Sequence, residues 1–381
     1  MPGFFADKKS IAMLAMVIFG AIGAAAILIF GEGVMGTSDK VPWGALIAVY
    51  LFFAASSVGL TIMSSLWYVF KIPVFEQICK RALSWAIISI VLGFVAIGLE
   101  LGNPLNMFWL VFSPNLNSAI WWMGMLYTIY LGLRIATVYN LCLQKDERVI
   151  FFGRLTLVAG IAAVSNLGAV FGYLHARPFW QGPFMSVHFL LIAFLSGTAI
   201  LAAAFYLVEK KQGVSQSVLL NKLGKIHATT LVIILFITFW RIISNLYGQV
   251  PGKYEAVKAL VAGPLAANFW LFEVGIGLIA PIILLVTASS HASGRIFKAA
   301  VLSLIGIFFM HYNMVIAGQL TPNTAVGPAG MPSYYAYFPS WAEAAVLVGT
   351  VGGAITAAMW VEKRFFQAKA DAPAKGVAVD V

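Results

Sequence analysis

Trp43-Gly-Ala-Leu-Ile-Ala-Val-Tyr-Leu-Phe-Phe-Ala-Ala-Ser-Ser-Val-Gly-Leu-Thr-Ile-Met-Ser-Ser-Leu-Trp-Tyr-Val-Phe70 is a run of 28 residues without a charged side chain. A transmembrane helix needs about 20 predominantly apolar residues, whereas a membrane strand alternates over about ten. This run does not alternate, since Leu51 to Ala55 are all apolar. In hydrocarbon, every backbone polar group must be paired within its own segment or a closed barrel, so the run reads as a spanning helix. Working outward from it, similar runs occur near 10–30, 82–101, 119–143, 150–174, 184–208, 223–247, 263–288, 295–318 and 341–361. Of the 381 residues, 61% are hydrophobic and 10% charged, against about 25% charged in soluble domains. The expected fold class is all-α: a polytopic membrane protein with ten transmembrane helices.

The connections carry the orientation. Eighteen Lys and Arg residues lie in the loops and tails on the N-terminal side of these spans, from Lys8 and Lys9 to Lys369 and Lys375. Four, Lys40, Arg177, Lys253 and Lys258, lie on the other side. The positive-inside rule then predicts both termini in the cytoplasm, and the net charge of +10 marks one membrane face rather than a nucleic-acid surface. The short polar stretch Met1 to Lys9 is followed by no small-residue cleavage site, so the first span is expected to be retained. The tail after Phe366 reads as disordered. Outer segments 102–118 and 319–340 have no charged side chain but carry Trp109, Tyr334, Tyr335, Tyr337 and Phe338, with Trp341 directly after them. They suit an interfacial aromatic belt or a surface that docks a partner subunit or admits a lipophilic ligand.

A weak repeat runs through the chain. Tyr50 to Ile62 aligns with His188 to Ile200, pairing Ala55 with Ala193, Gly59 with Gly197 and Ile62 with Ile200. The repeat implies two similarly oriented four-helix bundles, spans two to five and six to nine, with one peripheral helix at each end. The corresponding segments are 1–42, the N-terminus and first helix; 43–174 and 175–318, the bundles; 319–362, the outer loop and last helix; and 363–381, the tail. Turn residues separate the spans at Gly31 to Pro42, Gly102 to Asn117, Pro178 to Pro183 and Gly248 to Gly263. Pro281 is expected to kink span eight.

Ionisable groups inside a membrane mark function by default. At ~1.5 Å per residue, His188 falls about one turn from the outer surface. Arg241 and Asn245 fall within two turns of it, and His311, Asn313 and Gln319 fall in the outer third of span nine. Glu100 ends span three at the outer surface, and Glu343 starts span ten there. Glu273 is expected near mid-membrane and Arg134 deeper, toward the cytoplasm. The cluster reads as a binding site; an Arg241–Glu273 ion pair that locks helices is the alternative for those two. Haem needs facing histidine pairs, and only His188 and His311 share a depth, with His227 alone at the inner end. Cys79 and Cys142 form no metal-ligand spacing. No resident haem or metal is expected.

Ordered stretches resemble the NrfD/polysulfide-reductase membrane-subunit family in its ten-helix form. They are Val41-Pro-Trp-Gly-Ala-Leu-Ile-Ala48, Asn115-Leu-Asn-Ser118, Arg177-Pro-Phe-Trp-Gln181, Asn268-Phe-Trp-Leu-Phe-Glu273, His311-Tyr-Asn-Met-Val-Ile-Ala-Gly-Gln319 and Tyr335-Ala-Tyr-Phe-Pro-Ser-Trp-Ala-Glu343. The chain departs from many relatives in having His311 where they have Arg, and Trp122 where some have an acid. The resemblance implies a quinone subunit without a covalent or metal cofactor. It implies a (mena)quinone bound near the outer face, and electron exchange with a periplasmic iron–sulfur, ferredoxin-like subunit and further redox subunits. A quinone site needs apolar walls and few polar groups, and its redox chemistry moves protons. His188 and His311 are the natural proton-exchanging residues, with Glu100 beside them as a third catalytic candidate. Arg241, Asn245 and Asn313 complete a quinone-binding set, and Glu273 and Arg134 suit a proton route. A secondary transporter with a polar midplane cavity near Glu273 and Arg134 is the competing expectation.

Overall fold

The computed structural model of the chain describes residues 8–102, 104–213, 218–287, 293–322 and 334–367. The expected disordered tail beyond residue 367, and residues 323–333 of the uncharged outer loop, lie outside the described residues. Regular structure among the described residues is helical throughout. The helices are α1 Lys8–Phe30, α2 Ala45–Tyr68, α3 Glu76–Glu100, α4 Ala119–Cys142, α5 Asp146–Gly172, α6 Phe184–Gln212, α7 Val218–Gly248, α8 Lys253–Ala262, α9 Asn268–Val286, α10 Ser293–Leu320 and α11 Trp341–Val361. All but α8 are long and apolar enough to cross a membrane. This is a multi-pass membrane protein.

The long uncharged run, α2, is the centre of the molecule. It packs against α3, α5, α6, α10 and α11, and Leu46, Ala48, Val49, Leu51, Ala54 and Ala55 are inaccessible. A helix apolar on every side must be covered on every side. Around it, α2 to α5 pack on one another, as do α6, α7, α9 and α10. The two groups meet where α2 crosses α6. A Cβ on Gly59 would lie 1.8 Å from the Ala193 carbonyl oxygen, and one on Gly197 would lie 2.3 Å from the Gly59 carbonyl carbon. The repeat-related glycines of the two helices are therefore each other's neighbours, and only small residues allow backbones this close. The helices at the chain ends are not separately peripheral. They pack on one another, and a Cβ on Gly20 would meet the Gly349 Cα at 2.4 Å; α11 also rests on α3.

The amino end of α2 is held by three other helices. A helix leaves its first N–H groups without intrahelical partners, and its dipole favours anions there. The Gly44 N–H donates to Glu100 Oε1 at 2.7 Å, and the Ala45 N–H donates to Glu343 Oε1 at 3.0 Å. Gln319 clasps Trp43 from both sides, accepting from its N–H and donating to its carbonyl, each at 3.0 Å. Tyr337 Oη donates to Glu343 Oε1 at 2.7 Å. Burial, then the Glu343 charge, push the Tyr337 phenol above its ordinary value, so it stays a donor. At the opposite, basic end, Arg81 pairs with Glu362 through Nε at 2.9 Å and Nη2 at 2.8 Å.

Two segments differ from expectation. Gly248 to Gly263 is not simply a turn: it contains α8, started by Gly252 in a left-handed conformation (φ 80°) and by Glu255 Oε2 accepting from the Gly252 N–H. Span eight begins at Asn268 rather than 263, and its departure from α geometry is a π-helix over Asn268–Ile279. Pro281 sits at the start of the α-helical part, Ala280–Val286, where the missing N–H is tolerated.

Candidate functional site

The π-segment sets the site. With i→i+5 bonding a turn takes about 4.4 residues, so steps of four and of five both return near one face. In a 3.6-residue turn a step of five overshoots by about 140°. Three residues of α9 use this. Gly277 meets Gly306 backbone to backbone; a Cβ on Gly306 would lie 2.1 Å from the Gly277 Cα. Phe272 stacks on Phe309 with ring centroids 4.3 Å apart. Asn313 Nδ2 donates to Glu273 Oε2 at 2.7 Å. Gly306, Phe309 and Asn313 share one face of α10 by their i, i+3, i+7 spacing. An α-helical α9 could not aim both Phe272 and Glu273 at that face.

Glu273 lies five residues into α9 from its charge-poor end, since the helix starts at Asn268 and not at 263. It lines a buried cavity of about 20 Å³ together with His188, Thr238, Arg241, Phe269, Met310, Asn313 and Met314, with room for about one water. The His188 ring stacks on Phe184 at 5.4 Å. Asn313 Oδ1 is buried without a partner among the described residues. Beyond Arg241, an open groove of about 380 Å³ is walled by Phe179, Trp180, Phe184, Met185, Phe236 and Trp240, with Asn245 and Lys253 at its polar side. Phe236 and Trp240 are exposed on the helix surface, so the groove opens where a bilayer would lie. Arg241 belongs to both spaces. Its guanidinium lies 4.4 Å from the Phe179 ring centroid, and among the described residues its side chain makes no hydrogen bond or ion pair, with Glu273 or any other acid.

The structure thus brings His188, Arg241, Glu273 and Asn313 together. It keeps the other expected site residues apart from this cavity. His311 is 1% exposed and lies against Phe189 (centroids 5.5 Å), with neither ring nitrogen partnered among the described residues. Asn245 reaches the groove, but its Nδ2 donates to the Arg241 carbonyl of its own helix at 2.7 Å. Glu100 caps α2. Arg134 lies in the other helix group, its Nη2 donating to Thr61 Oγ1 and its guanidinium 5.7 Å from the Tyr130 ring. Glu100→Ala is accordingly expected to cost about 1–2 kcal/mol of stability, as loss of a helix cap does. Turnover per folded molecule should stay unchanged, checked by thermal unfolding beside activity.

Three features escaped the sequence. His227 is not alone: it bridges Thr198 (Nδ1, 2.8 Å) and Ser303 (Nε2, 2.9 Å), and nothing but span alignment could have paired them. Trp180 Nε1 donates to the Met314 carbonyl at 2.7 Å and stacks on Trp43 at 5.4 Å, which fixes one wall of the groove. Arg177 donates to the Gln319 carbonyl at 3.3 Å, and burial pushes its guanidinium below the ordinary value. No group of three or more His, Cys, Asp or Glu is arranged for a metal among the described residues.

Comparison with known proteins agrees with this architecture. A selenate reductase subunit of Mesobacillus selenatarsenatis is 26% identical over 383 residues, covering 88% of each chain. The Hdr-like menaquinol oxidoreductase integral membrane subunit of Archaeoglobus fulgidus is 24% identical, over 81% of this chain and 79% of that one. The menaquinone reductase integral membrane subunit of Nitratidesulfovibrio vulgaris is 26% identical, over 85% and 83%. The family model described as polysulphide reductase, NrfD, matches residues 33–323. The chain belongs to the NrfD polysulphide-reductase family.

Proposed function

We propose that this chain is the quinone-reactive membrane subunit of a multisubunit respiratory redox complex. It exchanges electrons between a (mena)quinone near its charge-poor face and an iron–sulfur subunit docked on that face. The observation that carries the proposal is Arg241, whose side chain makes no hydrogen bond or ion pair among the described residues and which stands between a lipid-open aromatic groove and a polar cavity. The groove suits a lipophilic ring, and Arg241 suits one of its carbonyl oxygens. His188, on the cavity side, takes or returns the proton that accompanies the electrons, and Glu273, held by Asn313, is the next acceptor. The relatives named for menaquinol and menaquinone chemistry support this substrate class. The charge asymmetry of the connections supports a cell membrane in which the basic end and both termini face the cytoplasm. The quinone is a substrate; the reading includes no resident haem or metal. A transporter would use one polar cavity reaching Glu273 and Arg134, whereas these residues sit in separate helix groups with separate partners.

The test compares two histidines at one depth. His188→Ala is expected to lower quinol-coupled turnover by about 100-fold or more, the range of general acid–base contributions. His311→Ala, outside the cavity wall, should lose less than about tenfold. Wild-type turnover in an assembled His188→Ala complex would overturn the assignment.

A further inference from the structure

The first helix group holds a second polar feature, which the quinone reading does not use. On α2, Ser57, Thr61 and Tyr68 share one face; on α4, Tyr127, Tyr130, Arg134 and Thr137 recur at i, i+3, i+7 and i+10. The two stripes face each other. Tyr130 Oη meets Ser57 Oγ at 2.8 Å and Thr61 Oγ1 at 2.6 Å, and Arg134 Nη2 donates to the same Thr61 hydroxyl. Toward the basic end, Thr137 meets Thr156 of α5 at 3.1 Å. None of these side chains is accessible from outside the protein. Buried polar atoms are normally paired by protein or water, yet Tyr127 Oη, Tyr68 Oη, Arg134 Nε and Arg134 Nη1 have no protein partner among the described residues. The stripes therefore form one buried lane of hydroxyls with donor and acceptor capacity to spare.

We infer that Arg134 is an electrostatic seal that keeps this hydroxyl lane closed to protons. Hydroxyls and waters both donate and accept, so they can hand a proton along. A guanidinium donates only, and it does not deprotonate in a protein. Among the described residues no carboxylate lies within ion-pair distance of Arg134; its neighbours are the Thr61 hydroxyl and the Tyr130 ring, 5.7 Å from the guanidinium. Its full charge therefore stands in a low-dielectric interior, where a hydrated proton would be repelled most strongly, as an arginine does in pores that pass water but not protons. Arg134 thus blocks a route instead of marking one, and the Glu273 cavity is left as the place where protons are exchanged.

The test needs no quinone, so it stands apart from the functional reading. The full chain, with any subunits that co-purify, is reconstituted into vesicles carrying an internal pH dye, and proton entry is driven by a potassium diffusion potential. Arg134→Met is expected to raise proton permeability at least about tenfold while potassium and an entrapped dye stay retained. Arg134→Lys, which keeps the charge, should remain as tight as wild type, and adding Tyr130→Phe to Arg134→Met should cut the leak. If the Met variant does not fold, Arg134→Gln against Arg134→Lys makes the same comparison. Tight vesicles with either neutral variant, a leak equal for Lys and Met, or a leak that also passes the dye would overturn the inference.

Discussion

Arg241→Met is expected to lower quinol-coupled turnover by about 30- to 100-fold, while the protein's thermal stability barely changes. The two halves of this outcome have separate causes. A hydrogen bond from a charged donor is worth about 2–3 kcal/mol, which at 1.36 kcal/mol per decade gives that loss when the bond forms only with substrate. Without substrate, Arg241 has no side-chain hydrogen bond or ion pair among the described residues to lose; it gives up cation–π contacts with Phe179 and Phe184 at 4.4 and 6.0 Å, each worth about 0.5–1 kcal/mol. A purely structural arginine would give the reverse: activity retained per folded molecule and a lowered unfolding midpoint. Arg241→Lys should recover part of the turnover, since an ammonium supplies charge but not the planar fork.

Gly306→Leu should be the most damaging single change outside the cavity. A Cβ at Gly306 already overlaps the Gly277 backbone, 2.1 Å from its Cα, and a backbone cannot step aside as a side chain can. Overpacking of a tight contact costs about 3 kcal/mol. The variant must also push α9 off α10, and with it the Glu273–Asn313 hydrogen bond. We expect turnover in the variant to fall as far as in Asn313→Ala, together with a change in the Glu273 carboxyl band in infrared difference spectra. Gly294→Ala on the same helix is the control, because the nearest atom to its Cβ is Tyr206 Oη at 3.8 Å. A Gly306→Leu protein with wild-type turnover would show that the α9–α10 contact does not position Glu273.

Much of the fold was legible because lipid imposes one strong rule. Length and apolarity alone located all ten spans. The aligned Gly59 and Gly197 turned out to touch. What failed was finer geometry. The start of span eight is misplaced because the connection 263–267, Gly-Pro-Leu-Ala-Ala, is as apolar as the helix it leads into. The π-segment leaves no mark in residue type, since its bonding shift depends on the neighbouring helix. Glu100 reads identically whether it exchanges protons or caps a helix; the structure adds the cap, a 2.7 Å contact of Oε1 with the Gly44 N–H. The α2–α4 stripes consist mostly of Ser, Thr and Tyr, which carry no charge to flag them, so only Arg134 stood out. His188, Arg241 and Asn313, grouped by depth in the sequence, line one cavity, whereas His311 of the same group is not among its lining residues.

The pairing of α1 with α11 has a consequence for how the protein is made. The first span leaves the ribosome long before the last, and its partner surface at Gly20 and Gly23 is complementary to Gly349 and Ala345. Glu343, which secures the start of α2, also arrives with α11. During synthesis the early spans therefore wait in the bilayer with an uncovered glycine groove and an incompletely capped central helix. Membrane quality control has a ready signal in this: a nascent chain halted before Trp341 exposes both defects at once, and a finished one hides them in a single insertion event.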